Sequence, residues 1–419
     1  MQHTIIIGAG AAGLAAGRML HDAGHDILIL EARDRIGGRA WTDHTFADFP
    51  IELGAEFIHG EHAATHDLVR QAGLHTIPVV RMDNLWWAEP GLPAVPRDKL
   101  PAPIQQVIEG LLRDYHEMPD HVKTVMSLDE YLRRCFWDAD ALKIADVLLA
   151  QTCCARIDTL SCQDLIREMR ADHAGSEEFR IEEGYAALFD WYSRDLPIRL
   201  NTPVHRIRWT KDGVIVVAGK QIFMAEKCII TVPTSVIGKI RFDPYLSREK
   251  QGAIEALRTE PATKLIYRFR EPLWDEALTF MAHTGVTARW WTPGYGRKNS
   301  GVIACYITAG RAHDIDEMVA SDALEIGLED LGILLGLPPT KLRHELVSGK
   351  RVSWAQDPYA LGGYAHVIPG SADARPLLAK PEDSILFFAG EATAYDTNPQ
   401  TVHGALESGW RAAREVIGS

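Results

Sequence analysis

The chain has 419 residues, 46% of them hydrophobic and 24% charged, with a formal net charge of −13. That length can bury a large core and suggests two or three domains, and the composition excludes a disordered or fibrous chain. The acidic balance favours cationic small molecules and argues against nucleic acid as an obligate partner; six cysteines without CxxC or framework spacing fit a reducing compartment. No apolar stretch reaches the length of a membrane span, and Met1-Gln2-His3 leaves no room for a signal peptide before the first strand. The expectation is a soluble cytoplasmic protein with no membrane contact.

In chain order, the first element is a strand, Ile5-Ile6-Ile7, running into Gly8-Ala9-Gly10-Ala11-Ala12-Gly13. A helical pattern follows through Leu14, Arg18, Met19 and Ala23, closed by Gly24, and a second apolar run ends in Glu31. Strand, GxGxxG loop, helix, strand and acid form the dinucleotide-binding pattern. Gly8 permits the tight turn, Gly10 lets backbone approach a pyrophosphate, and Gly13 allows close helix–strand packing. Glu31 stands where a ribose hydroxyl needs an acceptor, and its charge disfavours the 2′-phosphate of NADP. Beyond it, Gly37-Gly38-Arg39 suits a second backbone approach to phosphates, with Arg39 as counter-charge.

The proline-rich stretch 90–103 marks a crossing into another domain, and 104–169 is helical in pattern, for example at Leu128, Tyr131, Leu132, Cys135 and Phe136. Strands expected at 204–207, 214–217 and 228–232 return the chain to the cofactor domain. Two more, at 264–269 and 302–307, belong to a second sheet, and a helix fits 322–336. In 264–269, alternation sets Leu265, Tyr267 and Phe269 on one face and Lys264 with Arg268 on the other. From the residues alone, that lysine is solvated. His62 and His66 are an i, i+4 pair without a third ligand, so an exposed helix face is expected there and no metal. Near the end, Phe387-Phe388-Ala389-Gly390 reads as a buried strand finishing at Glu391, where ligands sit in an open α/β sheet. The turn Asn398-Pro399 precedes a helix over 401–416, whose N-terminus turns positive dipole toward the same place; Thr401 is either its cap or part of the site.

These motifs together resemble the flavin-containing amine oxidase family nearly end to end. The likeness is carried by Glu31-Ala32-Arg33-Asp34-Arg35-Ile36-Gly37-Gly38-Arg39, by Glu52-Leu53-Gly54-Ala55-Glu56-Phe57-Ile58-His59-Gly60, and by the 387–393 and 401–406 segments. Thr401-Val402-His403-Gly404-Ala405-Leu406 and the run from Trp354 to Tyr364 are spelled more like the polyamine oxidase and lysine-specific histone demethylase branch than the mitochondrial monoamine oxidases.

The resemblance implies an α/β fold: a Rossmann-like FAD-binding domain (1–75, 180–250 and 358–419) interleaved with an α+β substrate domain (76–179 and 251–357). It implies cofactor contacts from Gly8, Gly10, Ala12, Gly13, Glu31, Ala32, Arg33, Gly38, Arg39, Gly54, Ala55, Glu56, Val204, Trp354, Gly390, Glu391, Thr401 and Val402. It makes Lys264 the lysine that holds a water beneath flavin N5 and sets Tyr364 and Thr401 beside the substrate amine, with Trp354 packed near the flavin. His59, Glu56 and Trp291 fall on the substrate side. One aromatic and one threonine in place of two aromatics widen the cavity and weaken the case for small aromatic monoamines. Family members that hold flavin covalently use a cysteine in the 364–376 region, which here has none, so non-covalent FAD is expected.

The implied reaction takes a hydride from the carbon next to an amine nitrogen to flavin N5. Water then hydrolyses the imine, and O2 reoxidises the flavin to give hydrogen peroxide. A polyamine or another primary or secondary amine is the implied substrate. Two alternatives share the fold. An L-amino-acid oxidase needs a cation such as Arg289 or Arg258 for the substrate carboxylate; a flavin-dependent desaturase needs a greasier, membrane-facing substrate domain.

Overall fold

The computed structural model describes residues 2–119, 125–297 and 301–419. Its first sheet has the strand order Ile198–Arg199, Ile27–Leu30, Gln2–Ile7, Gln221–Ile230, Gly213–Ala218, Val204–Thr210 and Arg241–Asp243, with Leu386–Phe388 also pairing to Gln221–Ile230. The strand Gln2–Ile7 lies parallel between two neighbours, so that Ile6 is flanked by Ile29 and Ile229. Ile5, Ile6, Ile29 and Ile229 are all fully buried, as a parallel sheet covered on both faces demands. The helix Ala11–Asp22 covers one face and packs in one core with Val402–Ile417, through Ala12, Ala15 and Ala16 against Leu406 and Ala413. The beginning and end of the chain therefore meet beside the glycine loop. Gly13 lies under this contact, where a Cβ would overlap the carbonyl oxygen of Gly8.

The second sheet runs Leu346–Ser353, Ala262–Phe269, Val302–Thr308, Arg289–Trp291, Phe280–His283, Leu85–Ala88 and Val95–Pro96. Ala262–Phe269 is an interior strand, antiparallel to both neighbours, which puts Tyr306 and Val352 on either side of Lys264. Leu265, Tyr267 and Phe269 pack with Leu328 and Leu331 of the helix Ala320–Leu335. The opposite face is also covered, so the solvated lysine expected from alternation is instead 3% exposed. Alternation gives the face; which faces stay wet is set by what packs on them.

Other expectations shift at their edges. The strand expected over 228–232 is Gln221–Ile230, and the helix expected over 322–336 is Ala320–Leu335, with Gly336 as a left-handed cap. The 90–103 stretch is not loop throughout, because Val95–Pro96 pairs antiparallel with Leu85–Ala88 at the sheet edge, where a residue lacking N–H is tolerated. The helical region resolves into Ala102–His116, Leu128–Arg134, Ala139–Leu148 and Cys162–Ala171, built around Ile108, Leu132 and Val147; residues 120–124 within it lie outside the described residues. His66 is half-buried against the carbonyl of Gly60, at 3.2 Å, rather than on an open helix face. Among the described residues no helix is long and apolar enough to cross a membrane.

His366 is fully buried, and neither ring nitrogen has a partner among the described residues. Burial, reinforced by Arg375 and Arg258, lowers its pKa to about 4. The folded state keeps this ring neutral while the unfolded chain takes up a proton below roughly pH 6.5. Stability is therefore lost as pH falls from 6.5 toward 4, by about 1.4 kcal/mol per pH unit from this group. His366→Met is expected to flatten the fall by that amount in urea unfolding followed across the window; an unchanged slope refutes the assignment.

Candidate active site

The glycine loop opens a cavity of about 410 Å3, within the range of about 300–1,000 Å3 usual for ligand sites. It runs from Gly8 and Gly10 past Glu31 and Arg39 to Lys264, Trp354 and Tyr364, with Gly390, Glu391, Thr401 and Val402 from the chain's end along the same wall. Ala12, Ala32, Arg33, Gly38, Gly54, Ala55, Glu56 and Val204 line it too, as do His59 and Trp291. Gly13 alone of the expected site residues does not line it; its place is the packing beneath.

At the loop end, the Glu31 carboxylate accepts the backbone N–H of Ala9 at 2.7 Å and of Arg33 at 2.9 Å, which fixes it at the tip of its strand. Glu391 Oε1 accepts the Ala365 N–H at 3.2 Å and pairs with Arg39 at 3.1 Å. Its Oε2 is buried with no partner among the described residues. A buried carboxylate oxygen left unpaired is costly, so the wall is complete only when a bound group donates to it. Backbone cradle, strand-end acid and orphaned oxygen together fit a dinucleotide such as FAD.

Midway, Trp354 donates its indole N–H to the carbonyl of Leu53 at 3.1 Å. A Cβ on Gly54 would overlap the carbonyl oxygen of Arg39 and lie 2.8 Å from this ring, so only glycine fits between them.

Beyond lies a buried ion cluster. Lys264 Nζ donates to the Glu52 carbonyl at 2.9 Å and to Glu56 Oε2 at 3.0 Å. Arg180 reaches Glu56 Oε1 at 2.8 Å, and the Trp291 indole N–H donates to Oε2 at 3.0 Å. Burial alone would raise the Glu56 carboxyl, but Lys264 and Arg180 hold it below the usual carboxylate range. Its charge is thus taken up by Lys264 and Arg180 inside the protein, while the residue still lines the cavity. His59, half-buried, sits 3.0 Å from Glu178, which also pairs with Arg81.

At the far end, Tyr364 donates to the Thr152 carbonyl at 2.7 Å and accepts from the Tyr306 hydroxyl at 3.2 Å. Burial pushes both phenols up, so both stay neutral. Thr401 caps the helix Val402–Ile417, accepting from Gly404 N–H at 3.0 Å and donating to the Asn398 carbonyl at 2.8 Å, while lining the cavity as well. Tyr306, Thr152, Gln400, Arg81 and Glu168 also line it and carry no motif. Only Tyr306 had a signal, as the cross-strand neighbour of Lys264, and that needs the strand pairing to be known. Of the two arginines weighed for a substrate carboxylate, Arg289 lines the cavity and Arg258 does not.

Removing the negative charge of Glu56 strands two buried cations. Glu56→Gln is expected to cost about 3–5 kcal/mol in chemical unfolding. The double variant Glu56→Gln with Lys264→Met should lose less than the sum of the single losses; agreement with the sum within about 0.5 kcal/mol would show that the pair is not coupled.

A family model described as flavin containing amine oxidoreductase matches residues 11–417. Polyamine oxidase 2 of Arabidopsis thaliana is 30% identical, over 98% of this chain and 87% of its own length. Lysine-specific histone demethylase 1 homolog 2 of the same plant is 30% identical over 99% of this chain, which spans 58% of that relative. Among solved structures, wild-type putrescine oxidase bound to putrescine superposes with a TM-score of 0.86 at 21% identity, covering 100% of this chain and 99% of that one. Cyclohexylamine oxidase from Brevibacterium oxydans IH-35A gives 0.83 at 20% identity, with the same coverage. At these identities the structural likeness speaks for the fold alone.

Proposed function

From the premise that this chain belongs to the flavin-containing amine oxidoreductase family, and is a flavin-dependent amine oxidoreductase with FAD as its cofactor, we propose that it oxidises the C–N bond of an aliphatic primary or secondary amine. One observation carries this reading: a single cavity joins the glycine loop and Glu31 to the buried Lys264 and the Tyr364–Tyr306 wall. When bound, FAD supplies the two-electron acceptor for hydride from the carbon α to nitrogen and, through O2, the route to hydrogen peroxide. The imine left behind is hydrolysed by water to a carbonyl compound and an amine.

The geometry supports a division of labour among residues. Gly8, Gly10, Gly38 and the Ala11–Asp22 helix N-terminus hold the pyrophosphate, Glu31 the ribose, and Glu391 and Arg39 the cofactor's middle. With no cysteine in 364–376, the cofactor is held without a covalent bond. Its domain comprises 1–75, 180–250 and 358–419, and the substrate domain 76–179 and 251–357. Two of the three N–H bonds of Lys264 are spent on Glu52 and Glu56, which leaves one for a water against the flavin. Neutral, half-buried phenols at Tyr364 and Tyr306 make a wall that favours the uncharged amine, whose lone pair assists hydride departure. The names of the relatives make polyamines the first substrates to test.

Anaerobic mixing of the purified holoenzyme with spermidine, putrescine, benzylamine and L-amino acids tests the reading. Bleaching of the flavin absorbance by at least one amine, then recovery with peroxide on admitting air, is the expected result. Flavin that none of them bleaches would overturn the amine assignment. Tyr364→Ala is expected to keep FAD bound and lower kcat/KM by about 10–100-fold through lost positioning; an unchanged kcat/KM would remove Tyr364 from the substrate site.

A further inference from the structure

The hydroxyl hydrogens of the tyrosine wall have settled directions. The Tyr364 hydroxyl stands 2.7 Å from the Thr152 carbonyl, and a carbonyl only accepts, so the one hydrogen of this phenol points there. Its 3.2 Å contact with the Tyr306 hydroxyl must then run the other way, with Tyr306 as donor. Both phenols are thus spent as donors, and burial keeps them protonated. The Cys154 thiol beside Tyr306 turns its own hydrogen to the carbonyls of Glu260 and Pro261, at 3.4 and 3.5 Å, and adds no donor. What the pair keeps is lone pairs, on Tyr306 above all, whose oxygen receives no hydrogen bond among the described residues.

Other polar residues of the same cavity are turned alike. Thr152 donates its hydroxyl to the Leu148 carbonyl at 3.2 Å and Thr401 to that of Asn398 at 2.8 Å. The indole N–H of Trp291 goes to Glu56 at 3.0 Å and that of Trp354 to Leu53 at 3.1 Å. Lys264 and Arg289, the cations on this stretch, keep N–H groups, and Arg289 directs its Nη1 at Thr152 Oγ1, 3.2 Å away. Tyr306 is the cross-strand neighbour of Lys264, and its ring centre lies 5.9 Å from that of Trp291. Its free lone pairs therefore belong to the part of the cavity assigned to the reaction.

We propose that Tyr306 is a specificity-determining residue: with Tyr364 it forms an acceptor-only receptor that takes an N–H of the substrate amine and offers nothing to its nitrogen lone pair. This rests on the amine-oxidation reading above and adds the group that selects among amines. An uncharged primary or secondary amine donates its N–H to the phenol oxygen and keeps its lone pair unbonded, free to assist as hydride departs. A hydroxyl turned the other way would bond that lone pair and hold it back. An uncharged tertiary amine has a lone pair and no N–H. It leaves the phenol acceptors unpaired and finds no hydroxyl donor in exchange, the kind of loss by which polar sites discriminate best.

The test uses two isomers of equal size, N-ethylpentylamine, which carries one N–H, and N,N-dimethylpentylamine, which carries none. Anaerobic flavin reduction in the holoenzyme is expected to give N-ethylpentylamine a second-order rate constant at least about tenfold higher, the scale of one acceptor left unpaired. Tyr306→Phe removes the free lone pairs and should bring that ratio down at least about threefold. Tyr364→Phe removes the same hydroxyl count but releases the Tyr306 hydrogen, so the tertiary isomer should bind more tightly there than in Tyr306→Phe. A merely structural role for either phenol would weaken both isomers alike. Retained FAD absorbance and an unshifted melting temperature mark each variant as folded, and Tyr306→Phe decides alone if Tyr364→Phe does not fold. Equal constants for the two isomers in the wild type, a ratio that survives Tyr306→Phe, or a tertiary isomer bound no more tightly by Tyr364→Phe would overturn the proposal while leaving amine oxidation intact. Bleaching by no amine of any kind would instead strike the reading beneath it.

Discussion

A lysine ammonium buried to 3% exposure is tolerable only where a carboxylate and further acceptors meet it, and that requirement organises this molecule. The partners of Lys264 come from a different part of the fold. Glu56 and the carbonyl of Glu52 belong to the loop that follows the dinucleotide-binding segment, and Arg180 to a strand that pairs with Ile58–His59 and Thr76–Val79. Trp291, on the second sheet with Lys264, closes the cluster by donating to the same carboxylate. One acid thus takes three donors from three stretches of chain, and the cavity between the sheets is shaped around it.

The same economy is visible at the loop end. Glu31 is held by two backbone N–H groups, Glu391 by one backbone N–H and an arginine, and each keeps acceptor capacity for a bound group. Rigid protein contacts on one side of a carboxylate and vacant lone pairs on the other are what preorganisation amounts to in atomic detail. The ordinary hydrophobic architecture serves this: alanines and leucines let the first and last helices pack together, which brings Glu391 and Thr401 to the glycine loop.

Features whose physics is local were legible in the sequence. The glycine spacing, the acid ending the second strand and the helix beginning at Thr401 each follow from a few consecutive residues, and the family resemblance placed the remaining motifs along what proves to be one cavity. Lys264 shows where local reading stops. Alternation put it on the polar face of its strand, and only the cover over that face turns a solvated lysine into a buried one. Arg81, Arg180 and Glu178 left no trace at all, because nothing near them in sequence tells of partners about a hundred residues away. The Pro96 strand was missed for a related reason: a proline signals a loop unless one knows that it falls on the edge of a sheet.

Thr401 has its hydroxyl hydrogen committed to Asn398 and a lone pair committed to Gly404. What it has left to show a ligand is a methyl group and a single lone pair with no hydrogen to donate, so this wall is less polar than the residue type suggests. The start of the last helix and one side of the reaction chamber are thereby written in a single side chain. An aromatic placed there to enclose the amine more fully would leave the helix uncapped, and a serine would keep the cap but give up the apolar surface. The width of the chamber and the anchoring of the chain's final segment are inherited together, and neither is free to drift without the other.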